Sequence, residues 1–305
     1  MNVLVLGSNG LVGSSLIRAL SSDDFYKNVI GTNRNNLDLF NINEIKKTLK
    51  EVNPDVVINA AAKVGGILAN NTYRTEFILE NLKINVNLLE ALIPYSKVKL
   101  INLGSSCIYP LGAENPIKEE YIMSGKLEKT NSPYAMAKLA AIEMGDALSQ
   151  QYGHKIINLM PTNLYGPNDN FSDKGSHVIP GLISRMHNAK ISNLSSFEVW
   201  GTGTPLREFL YVDDLAKSIS YILKNDINEN ILNIGSGEEI SIKELVKKIS
   251  TTLSFDGEIY FNTNFPDGNP RKFLDSTKIF NYGWKPLVSI DQGLTLTYNW
   301  FTNNI

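Results

Sequence analysis

The amino-acid sequence predicts an α/β fold, a doubly wound parallel sheet followed by a smaller C-terminal α/β unit. Two observations carry this expectation. Through the first half of the chain, short apolar runs alternate with longer stretches of helical periodicity, the pattern of strands buried on both faces by crossover helices. The glycine-rich string GSNGLVG, at 7–13, stands between the first apolar run and the first helical stretch. With 305 residues the chain is long enough for such a sheet and a second unit.

Taken in order, VLVL at 3–6 is a buried strand, followed by the glycines and a helix over 11–20. A second strand ends near Ile30. The helix over 42–51 stops short of Pro54, whose ring cannot continue it. VVI at 56–58 is the next strand and runs into the alanines at 60–62. Leu79, Leu82, Val86 and Leu89 recur at helical spacing across 76–92. A strand over 99–103, a long helix over 134–152 and a strand over 156–159 complete this rhythm. Beyond Pro161 it changes. YGPNDN at 165–170 is turn-rich and 188–196 reads as a polar loop. A strand near Val199 and helices over 213–223 and 242–253 follow, then the turn cluster DGNP at 267–270. The boundaries implied are a first domain over 1–165 and a second over 166–305, with part of 208–235 returning to the first.

Charge and cysteine content narrow the function. Lys plus Arg total 29 against 31 Asp plus Glu, a formal charge of −2, so no nucleic-acid partner is expected. The single cysteine, Cys107, excludes an internal disulfide and points to a reducing, cytoplasmic setting. No stretch approaches the roughly 18 apolar residues of a membrane span, and the first apolar run is too short for a signal peptide. No membrane partner is expected. Three scattered histidines and one cysteine cannot assemble a standard zinc site, so no metal is expected either.

Gly7, Gly10 and Gly13 have the spacing GxxGxxG between strand and helix. Such glycines let the backbone turn tightly and approach a pyrophosphate, which rests on the helix N-terminal N–H groups beside Leu11 and Val12. A dinucleotide on a Rossmann-type sheet is the reading that follows. About 20 residues further on, an NAD protein carries a carboxylate for the ribose 2′-hydroxyl. Here the segment is TNR at 32–34, and Arg34 can pair bidentately with a 2′-phosphate. The expected cofactor is therefore NADP(H), although an exposed loop arginine needs no function.

The string YAMAK puts Tyr134 and Lys138 at i and i+4 on one helix face, with Pro133 suited to the helix start. A phenol ionises near pH 10, and a cation within about 4–6 Å lowers that by roughly 1–3 units. Such a phenol can exchange a proton with a carbonyl oxygen near neutrality. GSSC at 104–107 supplies serines at a strand end upstream.

Together, GxxGxxG, a strand-end serine and YxxxK resemble the extended short-chain dehydrogenase/reductase superfamily. Longer strings narrow the resemblance: AAAKVGGI at 60–67, GSSCIYP at 104–110, PTNLYGP at 161–167, SHVIP at 176–180, PLREF at 205–209, DGNPRK at 267–272 and GW at 283–284. These are similar to the GDP-L-fucose synthase family almost end to end. The resemblance implies an NADPH-dependent enzyme that epimerises C3 and C5 of a GDP-linked 4-keto-6-deoxy sugar, GDP-4-keto-6-deoxy-D-mannose, and reduces C4. By the same resemblance Tyr134 protonates the C4 oxygen, Lys138 holds the nicotinamide ribose and lowers the tyrosine pKa, and Ser105 hydrogen-bonds the same carbonyl. Ser106 is structural. Cys107 and His177 match the acid/base pair of the epimerisation. Arg207 and Lys272 stand at the diphosphate with Arg185 nearby, Asn163 and Trp200 line the pocket, and Asp38 and Leu39 border the adenine. Two long helices, over 76–92 and 135–152, pair two copies into a homodimer. One position departs from the family: Asn9 stands where a basic residue is common, leaving Arg34 alone for the 2′-phosphate. A relative that reduces C4 of another GDP-linked sugar, such as a heptose, remains open.

Taken singly, some of these residues also fit blander roles. Free cysteine is among the most buried residue types, so Cys107 also fits simple packing. On an extended segment it shares a face with Ser105. Arg185 suits a solvated helix position as well as a phosphate contact. Lys63 stays undecided between the substrate and the surface. His154, beside Gly153 in a turn, and His187, in a polar helix, both read as solvated.

Overall fold

The computed structural model describes every residue except Asp173, Lys174, Pro266 and Ile305. In chain order the first half runs β1 (Asn2–Leu6), α1 (Leu11–Ser21), β2 (Asn28–Thr32), α2 (Ile42–Val52), β3 (Val56–Asn59), α3 (Ile67–Thr72), α4 (Arg74–Leu92), β4 (Lys99–Leu103), α5 (Ser132–Tyr152) and β5 (Ile156–Pro161). Then come β6 (Asn163–Tyr165), α6 (Val178–Ile191), β7 (Ser196–Trp200), β8 (Leu206–Tyr211), α7 (Val212–Lys224), β9 (Ile231–Ile234), β10 (Glu239–Ser241), α8 (Ile242–Leu253), β11 (Glu258–Asn262), β12 (Arg271–Lys272), α9 (Thr277–Asn281) and α10 (Ile290–Asn304).

Six parallel strands form the main sheet, in the order β2-β1-β3-β4-β5-β9. It winds outward from β1 in both directions, so the doubly wound Rossmann-type fold expected from the sequence is the observed one. Strands β3, β4 and β5 are buried along their whole length, which is why their sequences read as apolar runs rather than alternating ones. Edge strand β2 alternates in exposure instead. Helix α7 covers one face through Val212, Leu215, Ala216, Ile219, Ile222 and Leu223, spaced as one helical stripe. Each such buried Val, Leu or Ile side chain contributes about 1.5–3 kcal/mol. From α7 the chain runs into β9, which pairs with β5 in the main sheet.

The second unit joins β6, β8, β10 and β12, with β7 and β11 as a separate parallel pair. Ile183, Met186, Leu245, Val246, Ile249 and Leu294 from α6, α8 and α10 form its core. A reciprocal capping box between Ser241 and Glu244 starts α8 and stabilises it by about 1 kcal/mol.

A line of amides, buried at Asn59, Asn102 and Asn158 and reaching the surface at Asn230, ties the main sheet together. Asn59 Nδ2 donates to Asn102 Oδ1 at 3.2 Å, Asn102 Nδ2 to Asn158 Oδ1 at 3.0 Å, and Asn158 Nδ2 to Asn230 Oδ1 at 3.2 Å. Asn230 Nδ2 closes the line on the carboxylate of Asp146 at 2.6 Å. Asn59, Asn102 and Asn158 are in register on neighbouring strands, so each amide meets the next across the ladder. Buried polar groups are tolerable because every link is paired.

Several local expectations need correction. Residues 67–72 form a short helix that apolar spacing did not reveal, and α4 begins at Arg74 rather than at residue 76. The 188–196 stretch is not one loop, because α6 continues to Ile191 and β7 starts at Ser196. His154 is buried, not solvated: Gly153, at φ 76°, folds the chain back so that His154 Nε2 lies 3.4 Å from the Ile93 carbonyl oxygen. His187 is half-buried as well. Its Nδ1 lies 3.0 Å from the Tyr298 hydroxyl and its ring packs edge-on against Phe301, and burial lowers its pKa.

Candidate active site

A cavity of about 1110 Å³ opens beyond the C-terminal ends of β1, β3, β4 and β5 and is closed on its far side by residues of the second unit. Ligand crevices of doubly wound sheets lie at this end, beside the strand where the winding reverses. At the β1 end, Gly7 has φ 80°, and a Cβ there would stand 2.9 Å from the Ala61 backbone. A Cβ on Gly13 would stand 2.1 Å from the Gly7 carbonyl oxygen, so only glycine lets α1 approach β1 this closely. Gly10 is the N-cap of α1 and no side chain caps it. The first N–H groups of α1 therefore remain available to an anion, as a dinucleotide diphosphate requires.

Gly7, Gly10, Leu11 and Val12 line the cavity; Gly13 serves the packing behind it. Arg34, Asp38 and Leu39 line its outer end. The Arg34 guanidinium is mostly exposed and lies 3.9 Å from the Glu80 carboxylate. Asn33 Nδ2 donates to Asn9 Oδ1 at 3.3 Å, so Asn9 is engaged with its neighbour across the loop. The Asp38 N–H donates to Glu44 and the Leu39 carbonyl accepts from Asn87 Nδ2 at 3.0 Å, fixing the backbone of that rim. Lys63 is not among the cavity residues; its Nζ pairs with Glu80 at 2.6 Å.

Ser105, Cys107, Tyr134 and Lys138 meet where β4 and α5 approach the cavity. The segment after Ser105 is not extended. Ser105 accepts the Cys107 N–H at 3.2 Å and so starts a single 3₁₀ turn over Ser106–Ile108. That turn buries Ser106 and Ile108 and leaves Ser105 and Cys107 on the cavity wall. Lys138 Nζ donates to the Leu103 carbonyl at 2.6 Å and lies 5.8 Å from the centre of the Tyr134 ring, which packs edge-on against Phe77.

The electrostatics differ from the simple i, i+4 argument. Burial pushes the Tyr134 phenol well above its usual value; nearby Cys107 adds to the rise and the Ser105 hydroxyl opposes it. Lys138 is itself buried, which lowers its pKa to about 8. A buried ammonium that holds its proton weakly cannot make the phenol strongly acidic, so desolvation dominates in the protein alone. Tyr134 is thus held as a neutral proton donor.

The second unit supplies the opposite wall. Asn163 Nδ2 donates to the Glu208 carbonyl at 2.8 Å. The Arg185 guanidinium lies 5.3 Å from the Trp200 ring centre, and Trp200 stacks on Phe265 at 4.7 Å. Arg207 is half-buried and donates to the Leu206 carbonyl. Burial pulls its pKa down, while the carboxylates of Glu128 and Asp267 pull it up. The buried carboxylate of Glu208 accepts the N–H groups of Gly237, at 2.9 Å, and Leu274, at 3.2 Å, which anchors β8 under Arg207. Lys272, paired in register with Arg207, turns its Nζ to 3.5 Å from Cys107 Sγ. His177 is the N-cap residue of α6, and its Nδ1 lies 3.9 Å from Asp169 Oδ1.

The catalytic, cofactor and substrate residues singled out from the sequence therefore border one cavity except Gly13, and Lys63, left undecided there, does not border it. Glu128, Asn131 and Asp169 also line it and were not foreseen. Asp169 lies within YGPNDN, where turn chemistry is the obvious reading; Glu128 and Asn131 precede YxxxK with no distinguishing pattern.

The model of the "NAD dependent epimerase/dehydratase family" matches residues 3–235. The chain belongs to this family. Among its relatives, a GDP-L-fucose synthase of Sinorhizobium fredii (strain NBRC 101917 / NGR234) is 46% identical, over 99% of this chain and 96% of that protein. Two solved family structures superpose closely. One, a GDP-6-OMe-4-keto-L-xylo-heptose reductase from C. jejuni, is 31% identical with a TM-score of 0.90, covering 99% of this chain and 98% of that one. The other, a GDP-L-fucose synthetase from Naegleria fowleri bound to NADP, is 28% identical with a TM-score of 0.89, covering 99% and 92%. The likeness noted in the sequence strings thus holds over the whole chain.

Proposed function

We propose that this chain is an NADPH-dependent oxidoreductase that epimerises C3 and C5 of GDP-4-keto-6-deoxy-D-mannose and reduces C4, giving GDP-L-fucose. One observation carries the reading: a carbonyl-directed set, Ser105, Tyr134 and Lys138, borders the same cavity as two proton-transfer groups, Cys107 and His177, delivered by different elements. Relatives named GDP-L-fucose synthase at 41–46% identity support it.

C3 and C5 both flank the C4 ketone, so their protons become acidic when charge can develop on the C4 oxygen. The Tyr134 and Ser105 hydroxyls donate to that oxygen and stabilise the enolate. Inversion needs a proton removed from one face and another added to the opposite face. Cys107 and His177 perform these transfers. The cofactor, when bound, supplies the hydride to C4, and Tyr134 gives its proton to the C4 oxygen. Lys138 holds the ribose side of the cofactor and steadies the phenolate that remains. Arg207, Lys272 and Arg185 offer cations to the substrate diphosphate, and Asn163 and Trp200 border the sugar and base.

The residues fit NADP(H), with the diphosphate on the α1 N-terminus and the 2′-phosphate on Arg34. Arg34→Ala is expected to raise the KM for NADPH about tenfold or more and to leave that for NADH unchanged. An equal change for both cofactors in steady-state kinetics counts against this assignment.

Residues 1–165 serve as the cofactor domain and 166–305 as mainly the substrate domain, with part of 208–235 returning to the first. We also take the protein to be a cytoplasmic homodimer. Among the described residues no helix is long and apolar enough to cross a membrane. Leu79, Val86 and Ile93 recur every seven residues along α4 and its end, exposed by 48%, 41% and 36%, and the neighbouring helix α5 carries exposed Met136. Such a stripe suits a four-helix interface. Val86→Glu is expected to convert a dimer into a monomer by analytical ultracentrifugation; an unaltered sedimentation coefficient counts against this interface.

The likeness to heptose reductases favours a second reading, C4 reduction of another GDP-linked 4-keto sugar. The deciding experiment is NMR of the product formed from GDP-4-keto-6-deoxy-D-mannose and NADPH. The L-galacto configuration supports the first reading, and retained C3 and C5 configuration supports the second.

A further inference from the structure

We propose that Asp169 is a positioning residue for His177: its buried carboxylate holds the Nδ1–H of the imidazole, which leaves Nε2 as the nitrogen that exchanges protons with the substrate. The inference rests on the functional reading above and adds a residue that this reading does not contain.

Asp169 is an unusual member of the cavity wall. Its side chain is 5% exposed, yet it lies 3.9 Å from the half-exposed ring of His177. Oδ1 accepts the Asn170 N–H at 2.8 Å, and Oδ2 is buried with no hydrogen-bond partner among the described residues. A buried carboxylate oxygen without a donor is costly, so it favours any N–H brought to it. His177 supplies one. The proposal requires the ring to turn so that its Nδ1–H closes the 3.9 Å separation from the carboxylate to hydrogen-bond length.

The surroundings hold the two groups at this spacing. Asp169 sits in a turn whose N–H returns to the Gly166 carbonyl, and Asn168 Nδ2 fastens that turn to Ser14 of α1 at 3.0 Å. On the other side, the Gly66 N–H donates to the Gly175 carbonyl at 2.8 Å, and a Cβ on Gly66 would stand 2.4 Å from the Ser176 carbonyl oxygen. The backbone before His177 is therefore docked against glycine. His177 does not use its side chain to cap α6, so the ring is left to the cavity.

The chemistry needs such a partner. An imidazole that gives and takes protons must present one defined nitrogen, and the hydrogen bond at the other nitrogen decides which. When His177 carries a proton on both nitrogens, the positive N-terminal end of the α6 dipole opposes the charge. A carboxylate at Nδ1 offsets that. In Asp169→Asn the negative charge is lost and one of the two carboxylate oxygens becomes an NH₂; an NH₂ turned toward the ring can only donate, to an unprotonated Nδ1, which favours the opposite tautomer. The logic is that of an orienting carboxylate in a catalytic triad.

The test compares wild type with Asp169→Asn, using selectively ¹⁵N-histidine-labelled protein. Three histidines give three ring spin systems, and loss of one in His177→Asn assigns it. Long-range ¹H–¹⁵N correlation is expected to find His177 as the Nδ1–H tautomer in wild type and the Nε2–H tautomer in the variant. Solvent-deuterium incorporation at C3 and C5 is expected to fall about 100-fold. The initial rate of NADP-dependent oxidation of GDP-L-fucose, which begins at C4, is expected to stay within about twofold. An Nε2–H tautomer in wild type overturns the proposal even if the variant fails to fold. Unchanged deuterium incorporation, or equal loss of both activities, also overturns it. If wild type neither exchanges deuterium nor oxidises GDP-L-fucose, the functional reading fails, while the tautomer comparison still judges the Asp169–His177 coupling.

Discussion

Tyr134→Phe is expected to reduce turnover of GDP-4-keto-6-deoxy-D-mannose by about 10²–10⁴-fold, the usual contribution of a positioned proton donor. The ring is buried and packs on Phe77, so phenylalanine preserves the fold and removes only the hydroxyl. In the proposed mechanism that hydroxyl is the acid for C4 reduction and, with Ser105, the donor that stabilises the enolate. Because burial keeps the phenol protonated, its loss cannot be recovered by raising the pH. Stopped-flow oxidation of bound NADPH measures the effect on reduction directly. Turnover near the wild-type rate would remove Tyr134 from the chemistry.

Cys107→Ser and His177→Asn are each expected to slow deuterium incorporation at C3 and C5 by about 10²–10⁴-fold while sparing C4 hydride transfer. Proton NMR of recovered substrate in deuterated buffer measures the first quantity, and NADP-dependent oxidation of GDP-L-fucose the second. The separation between the two activities is the informative feature. Cys107 stands on the 3₁₀ turn after β4, and Lys272 reaches it from β12, while His177 comes from the start of α6. Full exchange in both variants would leave the epimerisation without its proposed acid and base.

Much of the site was legible because its parts are local. GxxGxxG works through backbone geometry within one turn, so Gly7 and Gly13 could be recognised without knowing what surrounds them. Tyr134 and Lys138 are brought together by helix pitch alone. The resemblance strings identified Cys107, His177 and Arg207 as residues of interest, and all three border the cavity. Where the sequence misled, a distant contact was responsible. His154 looked like a turn residue, but its ring is buried near the carbonyl of Ile93, which lies 61 positions earlier. Asp169 looked like turn chemistry, and only the folded chain shows its Oδ2 buried without a hydrogen-bond partner among the described residues.

Fold class, the order of the strands up to β5, the diphosphate loop and the Tyr134–Lys138 pair follow from the sequence alone, because periodicity and short spacing act over a few residues. Tertiary structure decided the rest. It set Lys272 against Cys107, 165 residues apart, and lined up Asn59, Asn102 and Asn158 across three strands. It also reversed the expected acidity of Tyr134 by burying both the phenol and its lysine. Spacing says which charges can meet; only the packed interior says how much water they have lost, and desolvation governs how tightly each holds its proton.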